Sequence, residues 1–165
     1  MRNYRIRAFE PHDLKAIKEI DRVSFSSEQQ YPDELYDSLL TDGPLRAAVA
    51  ESAGALAGYA LLDIKTQPVR IRSIAVVPGH RNKGCGSALL LDLMEQYDAL
   101  ELLVEKGNTA AIRLYERLGF VRLERDENSE LGPTHHMFRR FKNASCLNEP
   151  PPPNRAATSR ADGTI

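Results

Sequence analysis

VVPGHRNKGCGSALL, residues 76–90, joins an apolar, β-branched run to a helical pattern through two spaced glycines. The run Ile71–Val77 reads as a buried strand, and Pro78-Gly79 ends it. After Gly84 and Gly86, Leu89, Leu90, Leu93, Met94 and Tyr97 recur at helical spacing. The two glycines let the backbone turn tightly and approach a ligand with no Cβ in the way. A helix N-terminus offers N–H groups without intrahelical partners and the positive end of the helix dipole, which suits a phosphate. Arg81 and Lys83 add cationic charge at the same place. A pyrophosphate-binding loop is therefore the physical expectation, although two spaced glycines alone would serve equally as a solvated turn. Two familiar phosphate motifs do not fit. A P-loop needs Gly-Lys-Ser/Thr, whereas Lys83 precedes Gly84. The dinucleotide fingerprint needs a small residue at 89, which is Leu89.

Outward from this loop the pattern is mixed strand and helix. Tyr4, Ile6 and Ala8 alternate with Arg5 and Arg7 as a first strand. Pro11 and Asp13 open a helix with Leu14, Ile17 and Ile20 on one side, and Asp13 is its expected N-cap. SFSSEQQYPDE, residues 24–34, reads as a loop. A short helix follows through Leu35, Leu39 and Leu40, and Gly43-Pro44 stops it. Strands at about Arg46–Glu51 and Leu56–Ile64 form a hairpin through Ser52-Ala53-Gly54. Leu100–Glu105 is a further strand. Asn108 caps a helix bearing Ala111, Leu114, Tyr115 and Leu118, and Gly119 closes it. Phe120–Glu124 and His136–Phe141 read as two last strands around a polar loop, residues 125–135. The order is β-α-α-β-β-β-α-β-α-β-β, an α/β fold around a mixed sheet.

Composition bounds the function. The 165 residues make one domain at roughly 100–200 residues per domain. Twenty-two Lys+Arg against 23 Asp+Glu leave a net charge of −1, which argues against nucleic acid or an anionic membrane as partner. No apolar run approaches a bilayer span. MRNYRIRAFEP carries charges where a signal peptide needs its apolar stretch, so a cytoplasmic location is expected. Two cysteines, Cys85 and Cys146, make neither a disulfide framework nor a zinc site by themselves, and no metal is expected. Residues 148–165, with four consecutive prolines at 150–153, read as a disordered tail after a domain spanning 1–147.

Val-x-Pro-x-x-Arg-x-x-Gly-x-Gly, residues 76–86, resembles the acetyl-CoA-binding motif of the GCN5-related N-acetyltransferase (GNAT) superfamily. A second block, VEKGNTAAIRLYERLGF at 104–120, resembles that family's following motif: an Asn, an Ala three residues on, a Leu-Tyr pair and Gly-Phe. The resemblance covers about residues 4–142 and looks closest to the ribosomal-protein alanine N-acetyltransferase branch. It implies the GNAT fold, a central mixed and mostly antiparallel sheet flanked by helices. It also implies direct transfer of acetyl from acetyl-CoA to a primary amine in a ternary complex.

By the same resemblance, the backbone of Ile74, Ala75 and Val76 pairs with the CoA arm and polarises the thioester carbonyl. Arg81, Asn82, Lys83, Gly84, Cys85, Gly86 and Ser87 hold the pyrophosphate. Asn108 contacts the CoA arm, caps its helix, or does both. Tyr115 stands at the family's acid position, where a phenol of ordinary pKa ~10 protonates the leaving thiolate. The spacing alone would make Tyr115 a packed aromatic beside Leu114 and Leu118. The base is open. Glu101, Leu103 and Glu105 share one strand face, because side chains alternate. The alanine-acetyltransferase branch has a Glu where Leu103 stands here, so Glu105, Glu101 or a water takes the role, and Glu105 is the residue chosen. Cys85 is read as a bystander. His135-His136 point to opposite faces and are read as structural or as part of the substrate loop. His12 and His80 are lone surface candidates.

The acceptor groove implied by the family lies between Ser24–Tyr36 and Asp126–His135. Glu28, Asp33 and Glu34 on one side and Asp126, Glu127 and Glu130 on the other give an acidic rim, which suits a cationic amine. Tyr31 or Tyr36 is placed to pack on a peptide. The acceptor expected is a peptide or protein N-terminus, with a small-molecule amine or amino acid as the alternative. A non-catalytic acyl-CoA-binding module is an alternative of another class. A monomer or homodimer is expected.

Overall fold

The computed structural model describes residues 4–129 and 132–140. The tail at 148–165, Cys146 and Phe141 lie outside the described residues. The chain builds β1 (Arg5–Ala8), α1 (Leu14–Ser24), α2 (Asp33–Asp37), β2 (Leu45–Ser52), β3 (Ala55–Asp63) and β4 (Val69–Val76). It continues with α3 (Cys85–Gln96), β5 (Ala99–Glu105), α4 (Thr109–Arg117), β6 (Val121–Ser129) and β7 (Gly132–Arg140). The seven strands form one sheet in the order β1-β2-β3-β4-β5-β7-β6. Every neighbouring pair is antiparallel except β4 and β5. This is the expected fold, a mixed and mostly antiparallel sheet flanked by helices.

Period-two alternation divides the apolar side chains between two layers. On one face Leu89, Leu90 and Leu93 of α3 and Ala111, Ile112 and Leu114 of α4 pack on Ile71, Ile74, Val76, Leu100, Leu102 and Val104. On the other, Ile17 and Ile20 of α1 and Tyr36 of α2 pack on Val49, Tyr59, Leu61 and Ala75. Both faces of the central strands are buried, which explains their nearly continuous apolar runs.

β4 is irregular in the middle. Its pairing with β3 passes from Leu61↔Ser73 to Leu62↔Ile71, so Arg72 is an extra residue in a β-bulge. A bulge bends its strand and sharpens the local twist. The parallel ladder to β5 covers Val69↔Leu100 to Ile71↔Leu102 and ends at the bulge. Past that point, within the described ladders, Ser73–Val76 is paired with β3 only. Beyond the bulge β4 and β5 are unpaired within the described ladders, and the gap between them is a β4–β5 cleft.

Two expectations are corrected. Asp13 does not cap α1 forwards. Its carboxylate turns back to accept from both terminal nitrogens of Arg7, at 2.7 and 2.8 Å, and from the Glu10 N–H at 2.8 Å. Its partner lies on β1, and it is 3% exposed. Residues 125–135 are not simply a polar loop either, since β6 runs to Ser129 and β7 starts at Gly132. Backbone pairs such as Asp126↔His135 and Glu127↔Thr134 hold this hairpin. Ladder bonds need no apolar side chain, so polarity gave no sign of the strands.

Candidate active site

The glycine loop bridges the end of β4 to the start of α3. Asn82 and Gly84 both take left-handed conformations, with φ of 57° and 86°. A side chain at 84 would be strained there, which explains a glycine at the α3 N-cap. His80, Asn82, Gly84, Cys85, Gly86 and Ser87 line one wall of a cavity of about 320 Å³. Ala110, Leu114 and Arg117 of α4 line the other, and no carboxylate lines it. The first turn of α3 thus points its N–H groups into a concave, acid-free space, which fits a pyrophosphate.

Arg81 and Lys83 serve the loop itself. Arg81 Nε donates to the Val76 carbonyl at 3.0 Å, tying the loop to the end of β4. Lys83 Nζ donates to the Gly79 carbonyl. His80 Nδ1 meets the Tyr4 hydroxyl at 3.2 Å. Cys85 is 1% exposed, and burial pushes its thiol up to about 12. Burial keeps the thiol protonated at neutral pH.

Gly58 of β3 sets how closely β3, β4 and α3 approach. A Cβ there would lie 2.6 Å from the Ala75 carbonyl oxygen and 3.2 Å from Cys85 Sγ. The first of these is backbone and cannot rotate away. Gly58→Ala is therefore expected to destabilise the fold by about 1–3 kcal/mol and to displace Ala75–Val76. Denaturant unfolding together with calorimetry of acetyl-CoA binding checks this. Unchanged values in both would remove the steric requirement.

On β5, Leu100, Leu102 and Val104 face α3 and α4, so Glu101, Leu103 and Glu105 face the other layer. Their environments differ. Glu101 is 2% exposed, and its Oε1 accepts from Arg70 Nε and Nη2, both at 2.8 Å. Its Oε2 meets His136 Nε2 at 3.0 Å. Burial pushes the Glu101 carboxyl up, but the His136 hydrogen bond and the Arg70 charge outweigh it, and the net position is below the ordinary range. Glu101 is thus committed to a buried triad across β4, β5 and β7. Glu105, at the open end of β5, is half-buried and accepts from Gln29 Nε2 at 2.9 Å. The triad also settles His136, whose ring turns to Glu101. Among the described residues no group of three His, Cys, Asp or Glu is placed to hold a metal.

On α4, Asn108 Oδ1 accepts from the Ala111 N–H at 3.2 Å, the expected cap. Tyr115 is fully buried in the layer that holds Ile74, Val76 and Cys85, with its ring 5.7 Å from that of Phe120. Tyr36 is corrected as a peptide platform. It is 1% exposed, and its hydroxyl meets Tyr59, which donates to Asp21 at 3.0 Å. Tyr31 instead lies half-buried beneath the Arg72 guanidinium, 5.7 Å from its ring centroid. The acidic rim is also weaker than expected, because Asp33 pairs with Lys18 and Arg22. The side chains of Asp126, Glu127 and Glu130 lie outside the described residues.

Sequence reading left His80 as a lone surface candidate and missed Gln29 and the α4 wall of the cavity. Ala110, Leu114 and Arg117 stand at i, i+4 and i+7, a second stripe that helical periodicity contains. Gln29 and Glu105 are 76 residues apart, and no local signal joins them.

The model of the acetyltransferase (GNAT) family matches residues 14–120. An uncharacterised N-acetyltransferase of Methanocaldococcus jannaschii is 34% identical over 121 residues, 70% of this chain and 76% of that protein. The L-amino acid N-acetyltransferase of Escherichia coli is 29% identical over 131 residues, 70% of this chain and 81% of that one. The crystal structure of the ribosomal-protein-S18-alanine N-acetyltransferase from Escherichia coli superposes with a TM-score of 0.73 at 24% identity, covering 87% of this chain and 97% of that one. With the family model spanning the glycine loop, the cleft and α4, the chain belongs to the acetyltransferase (GNAT) family and is an acetyl-CoA-dependent N-acetyltransferase.

Proposed function

We propose that this chain acetylates the α-amine of a peptide or protein N-terminus, with the donor held in the β4–β5 cleft and the acceptor entering over the α1–α2 loop. The observation that carries the donor site is the end of the β4–β5 ladder at Ile71↔Leu102 together with an acid-free cavity at the α3 N-terminus, and the fold shared with the ribosomal-protein-S18-alanine N-acetyltransferase supports the acceptor class. A backbone edge and an anion site then lie in line for an arm ending in a pyrophosphate.

Acetyl-CoA supplies an activated acetyl carbonyl and a thiolate leaving group. The N–H groups of Asn82–Ser87 face the pyrophosphate, with Arg117 across the cavity and Arg81 fixing the loop to Val76. Backbone N–H groups of Ile74–Val76 hydrogen-bond the arm and polarise the thioester carbonyl, where negative charge develops. Glu105 takes the proton of the acceptor ammonium, freeing the amine lone pair for attack. As the C–N bond forms and the C–S bond breaks, Tyr115 gives its proton to the departing thiolate, and the second proton shed by the new amide nitrogen restores the phenol. Asn108 orders the start of α4 and, with it, Tyr115.

A free amino acid as acceptor is the second reading. The Escherichia coli relative named for L-amino acids, with 81% of its length matched, favours it. Calorimetric titration with acetyl-CoA, with ATP and NAD as controls, tests the donor assignment. Thiol release then compares N-terminal peptides with free L-amino acids. Turnover confined to free amino acids would overturn the peptide reading. Absence of acetyl-CoA binding by the folded protein would overturn the donor site.

A further inference from the structure

We infer that Gln29 is a positioning residue for Glu105, held in place by Ser26, and that the α1–α2 loop thereby completes the acceptor end of the site. The inference rests on the reading of Glu105 as the base. Gln29 is fixed at both ends of its amide. Ser26 Oγ–H donates to Gln29 Oε1 at 3.2 Å, and Gln29 Nε2 donates to Glu105 Oε1 at 2.9 Å. The Glu105 contact assigns which end of the amide is the nitrogen, since a carboxylate oxygen can only accept, and the Ser26 hydroxyl then donates to the amide oxygen. The Gln29 N–H also donates to the Ser26 carbonyl at 2.9 Å, closing a local turn.

The neighbouring glutamine does a different job. Gln30 Nε2 donates backwards, to the Phe25 carbonyl at 3.0 Å and the Arg22 carbonyl at 3.3 Å. It thus pins the loop to the C-terminal end of α1. One glutamine fixes the loop to the fold, and the other reaches from the loop to β5. A long polar side chain loses rotamer freedom when held in this way, and an anchored turn removes part of that cost beforehand. Because Gln29 occupies one carboxylate oxygen, the other is directed to the acceptor ammonium. A neutral donor does this without presenting a positive charge that would compete with the amine.

The test is steady-state kinetics on Gln29→Met, Gln29→Ala and Ser26→Ala, each alone and combined with Glu105→Gln. Met keeps the volume of Gln and loses the donor, which separates hydrogen bonding from packing. Both Gln29 variants are expected to lower kcat/KM for the acceptor by about ten- to a hundredfold, the value of one hydrogen bond to a charged group. Ser26→Ala is expected to lower it by about two- to tenfold. Calorimetric affinity for acetyl-CoA should stay the same. In the Glu105→Gln background the Gln29 variants should add no further loss, because they act through that carboxylate. Wild-type kinetics for Gln29→Met would overturn the inference and leave Glu105 standing as the base. An undiminished Gln29 effect in the Glu105→Gln background would do the same for a role through Glu105. Full activity of Glu105→Gln alone would remove both the base and its positioning residue.

Discussion

Tyr115→Phe is expected to lower turnover by about 10²–10⁴-fold, the usual worth of a positioned proton donor, with acetyl-CoA affinity nearly unchanged. The substitution removes one oxygen from a fully buried ring that packs beside Phe120, Ile74 and Val76. The apolar area buried by the ring is retained, so the fold should survive. A thiolate left without a proton donor reverses readily, so the loss should fall on kcat and not on donor binding. Single-turnover kinetics with saturating acetyl-CoA, set beside calorimetry, makes the separation. Wild-type turnover would remove Tyr115 as the acid. Lost acetyl-CoA binding would make it a structural residue of the donor cleft.

Glu101→Ala should act on stability, by about 3–5 kcal/mol, a large part of the margin of an ordinary domain. Arg70 is 3% exposed and donates to Glu101 through two nitrogens. Without the carboxylate its charge stays buried and loses this partner. The triad also has a pH signature. The folded-state pKa of Glu101 is depressed, so its stabilisation is present above the ordinary carboxylate pKa of about 4.3 and is lost as pH falls through the lower folded value. Urea unfolding at neutral and acidic pH should therefore show wild type and variant furthest apart at neutral pH and converging in acid. An equal gap at every pH would mean that the carboxylate's charge contributes nothing.

The parts of the molecule that sequence describes well are those whose causes are local. Gly84 stands where φ is 86°, Gly119 closes α4 with the same φ, and Asn108 makes the cap its residue type implies. The order of elements followed from period and punctuation. The parts that escaped depend on distant partners. Glu101 shares a strand face with Glu105 and looks equivalent in the sequence, yet Arg70 and His136, 31 and 35 residues away, remove it from the site. Tyr36 carries the same hydroxyl as Tyr31, yet α2 turns it inwards. The β6–β7 hairpin has polar residues throughout its tip, so the sheet there is held by backbone groups that side-chain patterning does not report.

The apolar positions of β4 on the α3 side are Val69, Ile71, Ile74 and Val76, a spacing of two, three and two. Arg72 therefore reverses the parity of the strand. Odd-numbered residues face α3 before it and even-numbered ones after it, while Ser73 and Ala75 turn to the opposite layer with Tyr59. Were Arg72 taken up as an ordinary strand residue instead of in the bulge, Ser73–Val76 would be flipped to the opposite faces, turning a hydroxyl toward the leucines of α3 and two large aliphatic side chains to the acceptor side. The bulge absorbs one residue out of step, so that the lower sheet and the upper part of the strand each keep the correct face.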